Sequence, residues 1–134
     1  MKKKIELEYI MKTSVKLLFP RLSTPGGLSE WFADNVTIKD RNIYTFKWDT
    51  DIQNAEQSYL RENHVVRYNW LNAEDKETGY FEFRIKIDEL TGDMALIVTD
   101  FVDEEDEKEA IELWDSQISN LKHVLGIWII FFHP

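Results

Sequence analysis

Hydrophobic and polar positions along this chain repeat with one of two periods, and the last long element organises the others. Between Asp106 and Leu125, the residues Ile111, Trp114, Ile118, Leu121 and Leu125 recur at steps of three and four, which stacks them on one face of an α-helix. Glu112, Asp115, Ser119 and Lys122 form the opposite, wet face. Six or more segments of period two come before this helix. Together they can cover its apolar stripe only by curling round it as one sheet.

From Lys2 to Lys12 the alternation is strict, with Ile5, Leu7, Tyr9 and Met11 on one side and Lys4, Glu6, Glu8 and Lys12 on the other, which predicts a half-buried strand. Thr13 or Ser14 is placed to cap a short helix running to Phe19, where Pro20 limits it. The cluster Ser23-Thr24-Pro25-Gly26-Gly27 reads as a break. Leu28 to Ala33 then predicts a second short helix with Leu28, Trp31 and Phe32 on one side. The two helices are expected to close one end of the sheet.

Strands follow in quick succession. Val36 and Ile38 alternate with Thr37 and Lys39, Asp40-Arg41-Asn42 turns, and Tyr44, Phe46 and Trp48 share a face against Thr45 and Lys47. A mostly polar strand, Ile52 to Arg61, precedes His64 to Leu71, in which Val66, Tyr68 and Trp70 oppose Val65, Arg67 and Asn69. After a charged loop from Asn72 to Thr78, Phe81, Phe83, Ile85 and Ile87 alternate with Glu82, Arg84 and Lys86, which strongly specifies register. Met94 to Phe101 is apolar on both faces and is expected to be covered twice. The class is α+β: a curved antiparallel sheet of six to seven strands gripping a long C-terminal helix, with two short helices after the first strand.

Composition narrows the partners. The 134 residues, 43% of them apolar, suit one domain spanning residues 1–134, and a 13% aromatic share that includes five Trp and eight Phe suits a wide interior or the walls of an apolar pocket. A formal charge of -9 argues against nucleic acid or an anionic membrane as the main partner. With no cysteine, disulfides, thiolate catalysis and cysteine-ligated metals are excluded. Glu6 and Glu8 interrupt any export signal, and Ile127 to Phe132 is far shorter than the roughly 20 residues of a spanning helix. A cytoplasmic protein without a transmembrane segment is the expectation.

The order of strand, two short helices, strands and long final helix resembles, over nearly the whole chain, the START-like superfamily. This is the helix-grip fold shared with birch-pollen-allergen-like proteins and polyketide cyclases. Leu28-Ser29-Glu30-Trp31-Phe32 is similar to the segment after the first helix in relatives of the heat-shock ATPase activator, and Trp114-Asp115-Ser116-Gln117 to the opening of their final helix. The likeness is to small bacterial START-like domain proteins of unestablished role. It implies an apolar or amphipathic molecule held between sheet and helix, and no catalytic set that can be carried over.

Trp31, Phe46, Trp48, Tyr68, Trp70, Phe83 and Trp114 are therefore candidates to wall a pocket beneath the helix; the plainer reading is that they fill the core. Arg67, beside Asn69, or Gln57, beside Tyr59, could orient a ligand's carboxylate if turned inward. The competing reading puts Arg67 on the solvent face, opposite Val66 and Tyr68. His64, His123 and His133 have no metal-ligand spacing, so no metal and no cofactor is expected. The run Asp103 to Glu107 lacks the central glycine of a calcium loop and fits a helix N-terminus. Ile127 to Phe132 would extend the helix's stripe if the helix continues through Gly126, or would pair with an edge or a second subunit, with a homodimer as the favoured outcome. The function expected is non-catalytic binding of a small apolar or amphipathic ligand. A protein-interaction module is the alternative, followed by a cyclase-type enzyme, which would need a convergent acid or base in the pocket.

Overall fold

The computed structural model describes residues 1–127. Their strands are β1 (Lys2–Ile10), β2 (Asn35–Lys39), β3 (Ile43–Trp48), β4 (Asp51–Arg61), β5 (Val65–Trp70), β6 (Tyr80–Ile87) and β7 (Met94–Asp103), and their helices are α1 (Val15–Ser23), α2 (Pro25–Ser29) and α3 (Glu107–Val124). A single 3-10 turn, Glu104–Asp106, leads into α3. The strands form one curved antiparallel sheet in the order β1-β7-β6-β5-β4-β3-β2. Strands β2 to β7 are a meander, and β1 returns to pair with β7 from Lys2↔Asp103 to Ile10↔Ala95. Helix α3 lies across the inward face, where Trp114, Ile118 and Leu121 are buried with Ile5, Leu96 and Val98 in one core. Each such buried aliphatic side chain contributes about 1.5–3 kcal/mol of transfer free energy.

The junction of α1 and α2 differs from the expectation. Ser14 caps α1 by accepting from the Leu17 amide, but the helix runs past Pro20 to Ser23. Pro20 is tolerated because the carbonyl its missing N–H would have met belongs to Lys16, and both residues face water. The Thr24 hydroxyl donates to the Pro20 carbonyl at 2.7 Å and accepts from the Gly27 amide at 3.0 Å, so one residue ends α1 and caps α2. Pro25 then sits in the first turn of α2, where it suits the helix. The Ser23 to Gly27 cluster is thus a tight helix-helix junction, and α2 begins three residues before Leu28. Its tightness depends on Gly27, where a Cβ would stand 2.1 Å from the Pro20 carbonyl oxygen.

Three further expectations are refined. Helix α3 does not continue through Gly126: that residue takes φ +73°, and the Ile127 amide donates back to the Lys122 carbonyl at 2.9 Å. Ile127, the first residue of the expected self-association segment Ile127 to Phe132, packs against the core, while the rest of that segment, 128–132, lies outside the described residues. Asp106 makes no side-chain cap bond; the acidic run instead meets the lysines of β1, with Lys3 Nζ 2.8 Å from Glu107 and Lys2 Nζ 3.8 Å from Asp103. Finally, among the described residues no second layer covers the outer face of β7. Ala95 and Thr99 are buried there by flanking side chains, Thr99 standing in register between Glu6 and Glu82. No helix of the described residues is long and apolar enough to cross a membrane.

Candidate functional site

The seven aromatic candidates come together beneath α3, six of them as their strand and helix periods require; Trp31 reaches the group from the turn after α2, because that helix ends at Ser29 and not at Ala33 as its period predicts. Phe46 lies 5.7 Å from Trp48, 6.0 Å from Tyr68 and 5.8 Å from Trp70, while Phe83 lies 5.7 Å from Trp31 and 5.9 Å from Trp114. The space between them is occupied by Phe32, which stacks on Phe81 at 5.3 Å and on Trp114 at 5.8 Å. The turn that carries Phe32 is held from two sides. Trp48 Nε1 donates to the Phe32 carbonyl at 2.7 Å, and Gln117 Nε2 of α3 donates to the same oxygen at 3.0 Å. Together these contacts place a ring where a ligand between sheet and helix would sit.

The polar groups inside this end of the grip serve the scaffold. Tyr68, fully buried, donates its hydroxyl to the Leu22 carbonyl at 2.7 Å, and Tyr44 donates to the Ser23 carbonyl at 2.9 Å. Burial pushes both phenols above their ordinary range, so they stay protonated and donate, and each also accepts from Gln57 Nε2. Gln57 Nε2 stands 3.0 Å from the Ser23 carbonyl and 3.1 Å from the Tyr44 hydroxyl. These bonds satisfy the last carbonyls of α1, which would otherwise be buried and unpaired. Gln57 and Tyr59 do not share a face, because a bulge between them turns Tyr59 outward, opposite Arg67.

At the other end, near the start of α3, an open cleft of about 490 Å3 is lined by Lys2, Gln53, Trp70, Tyr80, Asp100 and Phe101 together with the loop from Asn72 to Gly79. The loop folds closely on itself: a Cβ at Gly79 would stand 2.2 Å from the Ala73 Cβ and 2.7 Å from the Asp75 carbonyl oxygen. Asp100 occupies an inward position of β7, opposite Ile5. Its Oδ2 accepts from Trp114 Nε1 at 2.9 Å and its Oδ1 from the Phe101 amide at 2.8 Å. Burial raises its carboxyl above the usual range, and these two donors and Lys2 oppose that rise only in part. Such a group can hold a cation or donate a hydrogen bond when protonated.

Because the folded carboxyl lies above its unfolded value, its contribution to stability is present at pH below the unfolded value and is lost as pH rises through the folded one. Urea midpoints should therefore show the wild type losing stability relative to Asp100→Asn between acid and neutral pH. Parallel curves, or the opposite slope, would contradict this.

Arg67 is on the other side of the sheet. Its guanidinium donates through Nε and Nη2 to Glu82 Oε1 at 3.0 and 2.8 Å and sits 4.0 Å over the Tyr80 ring. Glu82 is only 6% exposed, and Arg84 approaches its second oxygen at 3.5 Å. Arg67 and Asn69 do share a face, and it is the outer one, as the solvent-face reading has it. Arg67→Ala is expected to cost about 1 kcal/mol after discounting for the partial exposure of Arg67, which chemical denaturation would check. His64 and His123 are exposed, and His133 lies outside the described residues.

Two functional candidates escaped the sequence reading. Asp100 left a signal, since it is the charged residue in the otherwise apolar inward series Leu96, Val98, Asp100 and Val102. Phe32 left a weaker one. It was legible as apolar, but its entry beneath α3 depends on a turn whose course no local period encodes.

Comparison with known proteins agrees with this architecture. No curated protein matches the chain. Among solved structures, a Bacteroides fragilis protein determined in solution is 38% identical, with a TM-score of 0.66 over 99% of this chain and 98% of that one. The Aha1 dimer of Colwellia psychrerythraea, 16% identical, matches with a TM-score of 0.73 over 92% of this chain and 96% of that one. DynU16, a protein of the dynemicin biosynthetic locus, is 12% identical, with a TM-score of 0.72 over 92% of this chain and 47% of that one. The last two likenesses are of fold alone. The model of the START-like superfamily domain matches residues 1–127, the stretch that holds the whole grip, its aromatic interior and the Asp100 cleft, and the chain belongs to the START-like superfamily.

Proposed function

We propose that this protein binds a small amphipathic molecule without converting it, and that the molecule enters at the Asp100 end of the grip. The observation that carries this reading is the cleft itself: a concavity of about 490 Å3 in which aromatic side chains from β5, β6 and β7 converge with one half-buried carboxyl. That size and mixture are typical of small-ligand sites. The filled space around Phe32 moves the expected ligand from the middle of the grip to its mouth. Trp70 is shared by the two regions and remains a contact candidate, backed by Phe46 at 5.8 Å and Trp48 at 6.5 Å, whereas Trp31, Tyr68, Phe83 and Trp114 belong to the filled interior.

Native mass spectrometry of gently purified protein should retain a small-molecule adduct. Thr78→Trp, which plugs the cleft from its loop, should release it. An adduct indifferent to the plug, or a wild-type protein that carries none and gives no saturable amide shifts at Gly79 and Tyr80 with any amphipathic probe, would sink the reading.

A second reading, a protein-interaction module resembling the heat-shock ATPase activators, is favoured by one observation: the interior beneath α3 is occupied by the protein's own rings. It separates from the first by where shifts occur, since a protein partner would perturb a broad surface and spare the Asp100 cleft. Self-association through Ile127 to Phe132 is proposed on sequence grounds alone. Ile127 is in part covered by its own core, and the five large apolar residues after it would, if left uncovered, expose several hundred Å2, about 25 cal/mol for each Å2 removed from water, which a second copy can cover. Deleting 127–134 should convert a dimer to a monomer in sedimentation; a wild type already monomeric at high concentration would refute it.

A further inference from the structure

We infer that the molecule taken by the Asp100 cleft is a protonated amine on an apolar body, an inference that rests on the binding reading above and adds the ligand's charge. Among the described residues, each Asp100 oxygen accepts one hydrogen bond, Oδ2 from Trp114 Nε1 and Oδ1 from the Phe101 amide. A carboxylate oxygen has room for two, so each keeps a lone pair for a donor in the cleft it lines. Among the described residues, nothing fixed supplies that donor. Lys2, the one basic residue of the lining, stands 3.8 Å from Asp103 and is half exposed.

The remaining walls favour the same charge. Trp70, Tyr80 and Phe101 line the cleft, Tyr80 and Phe101 packed edge to face at 4.9 Å, and aromatic rings draw an ammonium through their quadrupole. Tyr80 already carries a cation on its outer side, the Arg67 guanidinium at 4.0 Å. Glu74 and Asp75 at the rim, with the chain's net charge of -9, make the approach favourable for a cation and unfavourable for an anion. A metal ion is a poorer fit, because among the described residues no three carboxylate or histidine groups converge to cage one. A carboxylate-headed lipid, by contrast, would meet three carboxylates and one lysine.

The test uses three probes with the same ring and similar reach: 2-phenylethylammonium, 2-phenylethanol and 3-phenylpropionate. Binding is followed by NMR at the Trp114 indole N–H, which reports on Asp100 directly. The amine should shift it saturably and bind roughly tenfold or more tightly than the alcohol, the order of one charge-assisted contact, with the acid weaker still. Asp100→Asn should bring amine and alcohol together. In the wild type, amine affinity should fall on acidification while alcohol affinity holds, which keeps the test alive if the variant folds poorly. Equal binding of all three probes, or an amine preference that survives both Asp100→Asn and acid, overturns the charge assignment and leaves the cleft as a binding site. Silence of the Trp114 and Trp70 indoles toward all three overturns the cleft reading as well.

Discussion

Phe32→Ala is expected to cost about 3–5 kcal/mol and to lower the melting temperature by on the order of 10–20 °C, the largest effect of any single truncation in this protein. The ring is 4% exposed and packs on rings from three parts of the chain: Phe46 and Trp48 on β3, Phe81 and Phe83 on β6, and Trp114 on α3. Its removal deletes the contact between sheet and helix at the centre of the grip. The neighbouring rings cannot collapse into the gap, because Trp48 Nε1 is bonded to the Phe32 carbonyl and Trp114 Nε1 to Asp100. A cavity should therefore persist, and Phe32→Ala should bind benzene-sized apolar probes that the wild type refuses. Urea unfolding gives the first part and NMR titration the second; a loss below 1 kcal/mol would mean that the ring is peripheral to the fold.

Gly27→Ala should be nearly as damaging, at about 3 kcal/mol, the upper end of the cost of overpacking. The added Cβ would stand 2.1 Å from the Pro20 carbonyl oxygen and 2.5 Å from the Arg21 Cα, both backbone atoms that no rotamer change can move aside. Relief requires α1 and α2 to separate. That would break the Thr24 cap and the bonds from Tyr44, Tyr68 and Gln57 to the end of α1. Gly26→Ala is the control from the same helix. Nothing lies within 4 Å of its Cβ, so a gain of about 0.5–1 kcal/mol is expected from the less flexible unfolded chain. Thermal melts of the pair decide the point, and equal effects of either sign would refute the close-approach account.

The inward face was largely legible in the order of residues alone. Strict alternation in β1 and β6 names Ile5, Phe81 and Phe83 as buried, the helical period names Trp114, Ile118 and Leu121, and all six are core residues. The resemblance carried the order of elements to the right family, and the match over residues 1–127 confirms it. Prolines and glycines were less readable, because Pro20 and Gly26-Gly27 are breaking signals locally yet stand within α1 and α2. Solvent at the Lys16 carbonyl and a threonine that caps both ways outweighed the local preference. In β4, one extra residue at the bulge was enough to send Tyr59 to the opposite face from Gln57.

Sequence by itself determined the faces: which side of each strand and of α3 turns inward follows from periods of two and 3.6, since burying an apolar stripe is a local geometric matter. It also determined the charge that favours a cationic partner over an anionic one. Only the tertiary structure decided whether the grip is open and where. The volume between α3 and the sheet depends on a turn after α2 bringing Phe32 beneath Trp114, and the cleft depends on the 72–79 loop closing over the Asp100 end. Both are long-range juxtapositions. Such contacts join residues tens of positions apart, and their geometry is set by close packing of the whole core, to which no local pattern is sensitive.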